Sequence, residues 1–309
     1  MNYTLHQLEI FKKIAELKSV TKASEQLFLS QPAVSIQLKN FQEQFGIPLF
    51  EIVGRRLYIT EFGEEIAAAA AKILNEVEAI NYKSALFEGQ LAGKLKIAIV
   101  STAKYVMPHF LSDFVKQNEM VDITMAVTNK MSVIRSLEDN DCDFALVSTI
   151  PKKLNIERIE LMRNRLYFVA GKNFKFTENN SITEEFKNAL FIFRENGSAT
   201  RLAMERFLVK NKIEVSRKME LSSNEAVKQA IIADLGISIM PIIGIRSELE
   251  KGELQILKVQ GLPLETNWNI IWLKTKNQSL VAKAFKNHLE KNKNQIIDSK
   301  FKWFRKVSY

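Results

Sequence analysis

The sequence predicts a small all-α domain at the N-terminus, followed by one long helix and then a larger α/β domain. Three observations support this prediction. Apolar residues recur at helical spacing up to about residue 45, and again in one amphipathic run over residues 61–88. From Lys94 onward, short apolar strands alternate with helices, a pattern typical of α/β folds. At 309 residues the chain is long enough for two or three domains.

The composition is that of a globular protein with substantial cores, with 46% hydrophobic and 26% charged residues. Neither a long apolar run nor a secretory signal is recognisable, so we expect a cytoplasmic protein without membrane contacts. The single cysteine, Cys142, cannot form an intrachain disulfide, and we interpret it as a buried structural residue rather than a redox sensor. The three histidines lie far apart, and no paired carboxylates, phosphate-cradling loop or nucleophile elbow is found. The sequence therefore predicts no catalytic residues, no metal site and no cofactor.

Residues 20–45 have the pattern of a helix-turn-helix. The first helix covers residues 20–27, the turn covers residues 28–30, and the second helix begins at Gln31. Ser30 is a natural N-cap, and Pro32 falls in the first helical turn, where its missing N–H costs no hydrogen bond. Gly46 is predicted to end the second helix as its C′ residue. An apolar stripe at helical spacing must face a core, and it consists of Val34, Leu38, Phe41 and Phe45.

The opposite face of the second helix is polar. Amides and hydroxyls suit base edges and a cation suits phosphate, so these side chains are typical of a DNA-recognition helix. The alternative is an ordinary amphipathic helix in a helical domain, which periodicity alone does not exclude. On the first interpretation the residues of this helix that contact DNA are Gln31, Pro32, Ser35, Gln37 and Lys39.

Residues 51–59 are predicted to form a short β-hairpin, or wing, with Gly54 at its turn. Arg55 and Arg56 at the tip are placed to contact phosphates or the minor groove. The alternative for either arginine alone is a solvated basic turn. Net charge does not distinguish a DNA contact from a solvated turn. Residues 1–60 carry seven Lys/Arg against five Asp/Glu, which is a net charge of +2 out of the +9 of the whole chain.

Thr60 is the predicted N-cap of a long helix that runs to about Glu88. An isolated helix of this length needs a partner for its apolar stripe, and a dimeric coiled coil supplies one. The predicted dimerisation residues are Ile66, Ile73, Val77 and Ile80.

The rest of the chain is predicted to form two similar α/β lobes. The chain crosses between them near residues 160–170 and 260–268, with one lobe at 91–164 and 266–292 and the other at 165–265. Folds of this kind bind a ligand in the cleft between lobes, beyond the carboxyl ends of the strands. Strands are expected at residues 95–100, 121–127, 143–147, 166–170, 190–193, 214–221, 236–240, 256–259 and 268–273. Residues 293–309 are interpreted as a basic, aromatic tail that is solvated or packs in an oligomer, rather than a membrane or nucleic-acid patch.

Hydroxyl side chains follow several of these strands at predicted helix starts, where free N–H groups and a nearby arginine favour an anion. The alternative is that Ser101 and Ser198 only cap their helices, and Asn224 is interpreted as a further cap. The candidate ligand residues are Ser101, Thr102, Thr128, Ser148, Thr149, Arg194, Ser198 and Thr200.

The N-terminal arrangement resembles the LysR-type transcriptional regulators. The family pattern is carried by Phe11, Ala23, Leu27, Ser30-Gln31-Pro32-Ala33-Val34-Ser35, Gln37, Gly46, Leu49-Phe50, Thr60 and Gly63. The chain departs from that pattern at Ser24, Ile36 and Phe41-Gln42. The resemblance implies a winged helix-turn-helix at 1–60, a linker helix at 61–90, and a two-lobed effector domain at 91–292 of the periplasmic-binding-protein-like (type 2) fold. It also implies double-stranded DNA as a partner, a homodimer or homotetramer, and RNA polymerase as a further candidate partner.

Four short motifs resemble one subgroup, the regulators of carbon-fixation (RuBisCO) operons. These motifs are residues 100–105 (VSTAKY), 194–201 (RENGSATR), 223–230 (SNEAVKQA) and 261–263 (GLP). The subgroup implies a small phosphorylated or otherwise anionic metabolite as the effector. Two other classes remain open at this point: a solute-binding protein or enzyme on the bilobal fold, and a DNA-binding protein with a ligand-free cleft. The first has no use for residues 1–88.

Overall fold

The computed structural model describes residues 2–54, 56–177 and 182–306. The chain divides into two compact units, Met1–Gln90 and Leu91–Tyr309. The described part of the first unit has the predicted helix-turn-helix, wing and long helix. Its elements are α1 (Leu5–Leu17), α2 (Val20–Gln26), α3 (Gln31–Gln42), β1 (Phe50–Val53), β2 (Arg56–Ile59) and α4 (Glu61–Phe87).

Hydroxyl side chains start α3 and α4, as the sequence predicts. Ser30 Oγ accepts a hydrogen bond from the backbone N–H of Ala33 at 3.4 Å, and Thr60 Oγ1 accepts one from Gly63 at 3.0 Å. Each bond satisfies an N–H that the helix itself leaves unpaired. The Thr60 hydroxyl also donates to the Pro48 carbonyl at 2.7 Å, which joins α4 to the loop before the wing.

The core of the first unit forms on the apolar stripe of α3. Val34, Leu38 and Phe41 are buried, and the ring of Phe41 lies 5.2 Å from that of Phe11 in α1. Burial of these side chains stabilises the domain by about 1.5–3 kcal/mol each. The face of α3 opposite this stripe is left to solvent.

The predicted helix end at Gly46 is wrong, because α3 already ends at Gln42. The Gln42 amide donates to the Ile47 carbonyl at 3.2 Å and accepts from the Leu49 N–H at 2.6 Å, and these bonds fold the chain back. Gly46 therefore lies in the loop without a left-handed φ. Phe45 belongs to the turn after the helix, where its ring packs on the stripe.

The second unit contains two sheets. The chain leaves the larger sheet once, to form the smaller one, and then returns to it. The larger has the strand order β10-β6-β11-β5-β3-β4, with β9 also paired to β6, and the smaller joins β7 to β8. Strands β3, β4 and β5 are parallel, as are β7 and β8. The strands are β3 (Gly93–Val100), β4 (Val121–Thr128), β5 (Phe144–Val147), β6 (Ile156–Gly171), β7 (Leu190–Arg194), β8 (Arg217–Leu221), β9 (Ser238–Pro241), β10 (Leu254–Leu257) and β11 (Leu264–Leu273).

Helices cover these sheets, and the strands of the second lobe separate two apolar cores. The larger core fills the first lobe and the interlobe region, and the smaller one fills the far side of the second lobe around Phe168, Phe186 and Phe191. The helices are α5 (Met107–Gln117), α6 (Lys130–Glu138), α7 (Ile182–Glu185), α8 (Ala199–Lys210), α9 (Asn224–Ile232), α10 (Arg246–Glu250), α11 (Leu280–Lys300) and α12 (Lys302–Lys306).

Two crossing strands are longer than the sequence predicts. β6 covers 16 residues rather than residues 166–170, and β11 begins at Leu264 rather than Trp268. The first half of β6 pairs with β11, and its second half pairs with β9 and β10. The extra residues were missed because Glu157, Arg158 and Glu160 are exposed in that half, so it lacks an apolar run.

The C-terminal segment is not the solvated extension expected from the sequence. α11 continues through residue 293 to Lys300, and Phe301 and Phe304 after it are buried. The ring of Phe301 lies 5.2 Å from that of His109 and 6.1 Å from that of Phe110. The segment therefore completes the core of the first lobe. Its aromatic residues are core residues of that lobe.

We predict that Phe301→Ala destabilises the second unit. The substitution removes a ring that is 2% exposed, and comparable truncations cost about 3–5 kcal/mol. Urea unfolding of the full chain, followed by tryptophan fluorescence, measures the change. Leu280→Ala at the start of the same helix is the matched control, because Leu280 is 57% exposed. Equal stability of the two variants would contradict the packing role.

Candidate functional site

The polar face of α3 is exposed in the way that DNA contact requires. Gln31, Pro32, Ser35 and Lys39 are all exposed. Lys39 lies 3.9 Å from Glu43 on the next turn, an exposed pair that a phosphate can replace at little cost. Side-chain amides, hydroxyls and a cation thus face outward from a helix that is held by its opposite face.

Gln37 differs from the other predicted DNA contacts. It is half-buried, and its side-chain oxygen accepts a hydrogen bond from the Gln7 amide at 3.1 Å. Gln7 in turn closes the capping box of α1 with Thr4. Gln37 therefore links α3 to α1, and only its amide N–H groups remain for a further partner.

The wing forms as predicted, with β1 antiparallel to β2 and Gly54 in the left-handed region at φ 57°. Arg56 opens β2 and is exposed, so its guanidinium can reach a phosphate. Arg55, the other predicted contact at the tip, lies outside the described residues. The wing packs tightly on α4, since a Cβ on Gly63 would collide with the Leu49 carbonyl oxygen.

The four predicted dimerisation residues of α4 do not share one environment. Ile66 packs against the core of the helix-turn-helix. Val77 is half-buried, whereas Ile73 and Ile80 are 41% and 64% exposed. The large apolar side chains that α4 exposes therefore lie between its middle and its C-terminal end, at Ile73, Ile80 and Phe87.

In the second unit, the predicted ligand residues lie where strands end. Because β3, β4 and β5 are parallel, their carboxyl ends share one edge of the sheet. Ser101 follows β3, Thr128 ends β4, and Ser148 and Thr149 follow β5. Thr102, the next residue after Ser101, is buried with 6% exposure.

Arg194 connects the second lobe to this edge. It ends β7, is 3% exposed, and forms a bidentate ion pair with Glu195 at 2.7 and 2.8 Å. Its Nη2 also donates to Ser101 Oγ in the first lobe at 3.0 Å. Its Nη1 is buried and has no hydrogen-bond partner among the described residues. A cation with an unused donor thus lies at the junction of the lobes.

Ser101 and Asn224 are not the helix caps that the sequence suggested. The 3-10 helix Ser101–Tyr105 has no side-chain cap, and Ser101 Oγ instead accepts from both Arg194 and Asn224, the latter at 3.1 Å. Asn224 is 3% exposed, and Ser223 caps α9 in its place. The predicted ligand residues do not include Asn224, although its position at a helix start after β8 is typical of such a residue.

The start of α8 brings the second lobe close to α6 of the first. Ser198 caps α8 by accepting from the N–H of Arg201, so the capping alternative holds for Ser198. Thr200, in the first turn of the helix, is buried. Gly197 before the cap has φ 86°, and a Cβ there would lie 3.2 Å from Met131 of α6. A side chain at this position would crowd Met131 and strain the backbone, so glycine suits the close contact between the lobes.

A cavity of about 650 Å³ opens beside this contact, between α6 and α8. Ser198 lines it, while Ser101 and Arg194 do not. Lys130 lines the same cavity, and burial lowers the pKa of its ammonium, with Arg206 nearby lowering it further. Lys130 in the first lobe and Arg194 in the second, the latter paired with Glu195, therefore place basic groups on both sides of the cleft.

Cys142 lies away from the cleft and is 4% exposed. Burial raises the pKa of its thiol to about 11, so the nucleophilic thiolate is scarce at neutral pH. The structural interpretation of this residue fits that environment. Within the described residues, no cluster of histidine, cysteine and carboxylate side chains could hold a metal ion, and no helix could span a membrane.

A winged helix-turn-helix joined by a long helix to a two-lobed binding domain defines a ligand-responsive class of DNA-binding protein. Two family descriptions match the two parts of this chain. One is the bacterial regulatory helix-turn-helix protein of the lysR family, at residues 5–64, and the other is the LysR substrate binding domain, at residues 88–293. The chain therefore belongs to the LysR family of DNA-binding transcriptional regulators, which confirms the resemblance drawn from its motifs.

Two curated relatives align over nearly the whole chain. The HTH-type transcriptional activator CmpR of Synechocystis is 36% identical over 289 residues, covering 93% of this chain and 95% of that protein. The RuBisCO operon transcriptional regulator of Acidithiobacillus ferrooxidans is 36% identical over 287 residues, covering 93% of each. The resemblance to regulators of RuBisCO operons is thereby confirmed.

Two solved structures share the fold. The regulatory domain of CcmR from Synechocystis, in complex with 2-PG, is 30% identical and superposes with a TM-score of 0.59 over 64% of this chain and 95% of that one. Full-length CbnR complexed with its target DNA has a TM-score of 0.67 over 93% of this chain and 99% of that one. At 19% identity, the likeness to CbnR shows the fold alone.

We predict that Gln31→Ala and Ser35→Ala relax sequence preference. Each lost base contact should cost about 1–3 kcal/mol on the preferred duplex and little on a scrambled one. Fluorescence anisotropy with both duplexes measures the difference. Unchanged preference in both variants would contradict the assignment of α3 as the recognition helix.

Arg56→Ala should instead weaken binding to every sequence, because a phosphate contact carries no base information. The slope of log affinity against log salt should fall by about 1. Arg217→Ala, which removes an exposed arginine from the second unit, is the matched control. An Arg56→Ala slope equal to that of the control would show that Arg56 does not contact a phosphate.

We predict that Ile73→Glu with Ile80→Glu prevents assembly through α4. Both side chains are exposed in the single chain, so the substitution spares the core while placing like charges in a helix pair. Sedimentation velocity at micromolar concentration measures the loss of dimer. Val209→Glu, at a residue 79% exposed in α8, is the control. A double variant that sediments like wild type would exclude α4 as the dimer contact.

Proposed function

We propose that this regulator responds to a small phosphorylated carboxylate, or an anion of similar size, held between the lobes. The observation that carries the proposal is the buried guanidinium of Arg194, which reaches across to Ser101 and keeps Nη1 unpaired. A buried polar nitrogen without a partner costs about 1–3 kcal/mol. An anion accepting from Nη1 removes that cost, which favours ligand binding.

The surroundings of Arg194 suit an anion in two further ways. Arginine presents its donors as a planar fork that matches carboxylate and phosphate oxygens. The N-terminus of α8, at Ser198 and Thr200, supplies free backbone N–H groups and the positive end of a helix dipole. Glu195 offsets the charge of Arg194 only in part, because its own side chain remains 20% exposed.

The complex of the CcmR regulatory domain with 2-PG supports this class of effector. 2-Phosphoglycolate carries a phosphate and a carboxylate, so it can engage both Arg194 and a helix N-terminus. It is therefore the first compound to test. The identity of this chain's own effector is part of the proposal.

Binding would change transcription through the angle between the lobes. The ligand shifts DNA affinity only to the extent that it binds one arrangement more tightly than the other, typically by about 1–3 kcal/mol of coupling. A homodimer through α4, or a tetramer of such dimers, would carry that change to paired DNA half-sites. RNA polymerase is the further partner that such a regulator would contact.

The cleft is proposed to bind its ligand without transforming it. The relatives that align over the whole chain are named as transcriptional regulators, which supports a binding role for the bilobal domain. We place the protein in the cytoplasm for the same reason, since that is where bacterial promoters are found.

We predict that Arg194→Lys, Thr102→Val and Thr200→Val each weaken 2-phosphoglycolate binding, by about tenfold or more for Arg194→Lys. Lysine keeps the charge but cannot reproduce the fork, and valine keeps the shape of threonine while removing its hydroxyl. Calorimetric titration beside thermal melts separates ligand contact from helix capping. The matched control is Arg217→Lys, at an exposed arginine of β8.

Affinity for a selected DNA duplex, measured without ligand, should stay within about twofold of wild type in all of these variants. Variants that melt early yet bind 2-phosphoglycolate like wild type would contradict the cleft assignment. A wild-type protein that binds no phosphorylated carboxylate would contradict the effector class.

A further inference from the structure

An isolated apolar side chain lies in the middle of the outward face of α3. Ile36 is 58% exposed, although Val34 and Leu38 on either side of it are 0% and 5% exposed. Two helical positions correspond to a rotation of about 200°, so Ile36 points away from the core that Val34 and Leu38 enter. Its exposure follows from its register on the helix.

The neighbours of Ile36 define the surface around it. Residues four positions apart share a helix face, which places Pro32 and Asn40 above and below Ile36. Both are exposed, as are Ser35 and Lys39 beside them. Ser35, Lys39 and Asn40 thus place polar groups beside and below Ile36, while the small apolar residues Pro32 and Ala33 lie above it. Ile36 is the one branched aliphatic side chain on the face of α3 that a recognition helix turns to the major groove.

Base edges in the major groove offer mainly hydrogen-bond donors and acceptors. The exception is the C5-methyl group of thymine, which gains from contact with an aliphatic side chain. The polar ends of arginine, glutamine and serine gain little from that contact. Ile36 has the shape, the exposure and the position to do so.

We propose that Ile36 contacts a thymine methyl group in each DNA half-site and is a specificity-determining residue. The inference rests on the assignment of α3 as the recognition helix and is independent of the effector proposed for the cleft. Gln31 and Ser35 would read hydrogen-bonding groups, while Ile36 reads a methyl group that they leave unrecognised. The preferred site should therefore contain an invariant thymine within reach of the middle of α3.

The test begins by selecting preferred duplexes for the wild-type protein from a random pool. Each invariant thymine is then replaced in turn by deoxyuridine, which removes only the methyl group. Affinities of wild type and Ile36→Ala for each duplex form a double-mutant cycle. Alanine at this exposed position favours the helix, so the variant keeps its fold.

We expect deoxyuridine at one thymine per half-site to weaken wild-type binding about fourfold, or about fifteenfold when both half-sites are changed. Ile36→Ala should bind the thymine and deoxyuridine duplexes equally. Ile36→Val, which retains the branched carbon, should keep part of the penalty. Ile47→Ala is the matched control, because Ile47 is 56% exposed but lies outside α3, and it should keep the whole penalty.

An equal deoxyuridine penalty in wild type and Ile36→Ala would overturn the proposal, and so would the absence of any penalty in wild type. These outcomes are distinguishable from a wrong helix assignment. If α3 is not the recognition helix, Gln31→Ala and Ser35→Ala also select the same sites as wild type. If only the role of Ile36 is wrong, those two variants still change the selected sequence.

Discussion

One strand holds the two lobes of the effector domain in a single sheet. β6 pairs with β11 beside the first lobe and with β9 and β10 in the second, so its hydrogen bonds continue from one lobe to the other. Any change in the angle between the lobes must therefore twist these shared strands. The hydrogen bond from Arg194 to Ser101 lies across the gap between the lobes.

The charges around the cleft favour an anion over a neutral ligand. Arg194 is buried with one carboxylate partner, and Lys130 on the opposite lobe is partly desolvated. Charge in a low-dielectric site interacts strongly with an ion that replaces lost water. Gly197 lets the lobes approach at this point, since a side chain there would meet Met131. Close approach and positive charge thus occur together.

Local rules predicted the first unit almost completely, because its caps and apolar stripe act within a few residues of each other. Ser30, Thr60 and the wing turn at Gly54 all lie where the sequence placed them. The failures involve side chains that bond outside their own element. The Gln42 side chain bonds to the loop after α3, at Ile47 and Leu49. Asn224 donates to Ser101, which lies 123 residues away in the sequence. The polar half of β6 has no apolar run from which a strand could be predicted. It is a strand because its backbone pairs with β11.

The buried C-terminal aromatics also bear on how the protein is made. The core of the first lobe includes Leu95 from its first strand and Phe304 from its last helix, and Arg165 donates to the Phe304 carbonyl across 139 residues. During synthesis this core stays incomplete until nearly the whole effector domain has left the ribosome. The DNA-binding unit has its own core and can fold much earlier. The part of the chain that is predicted to contact DNA can thus fold before the ligand-binding domain is complete.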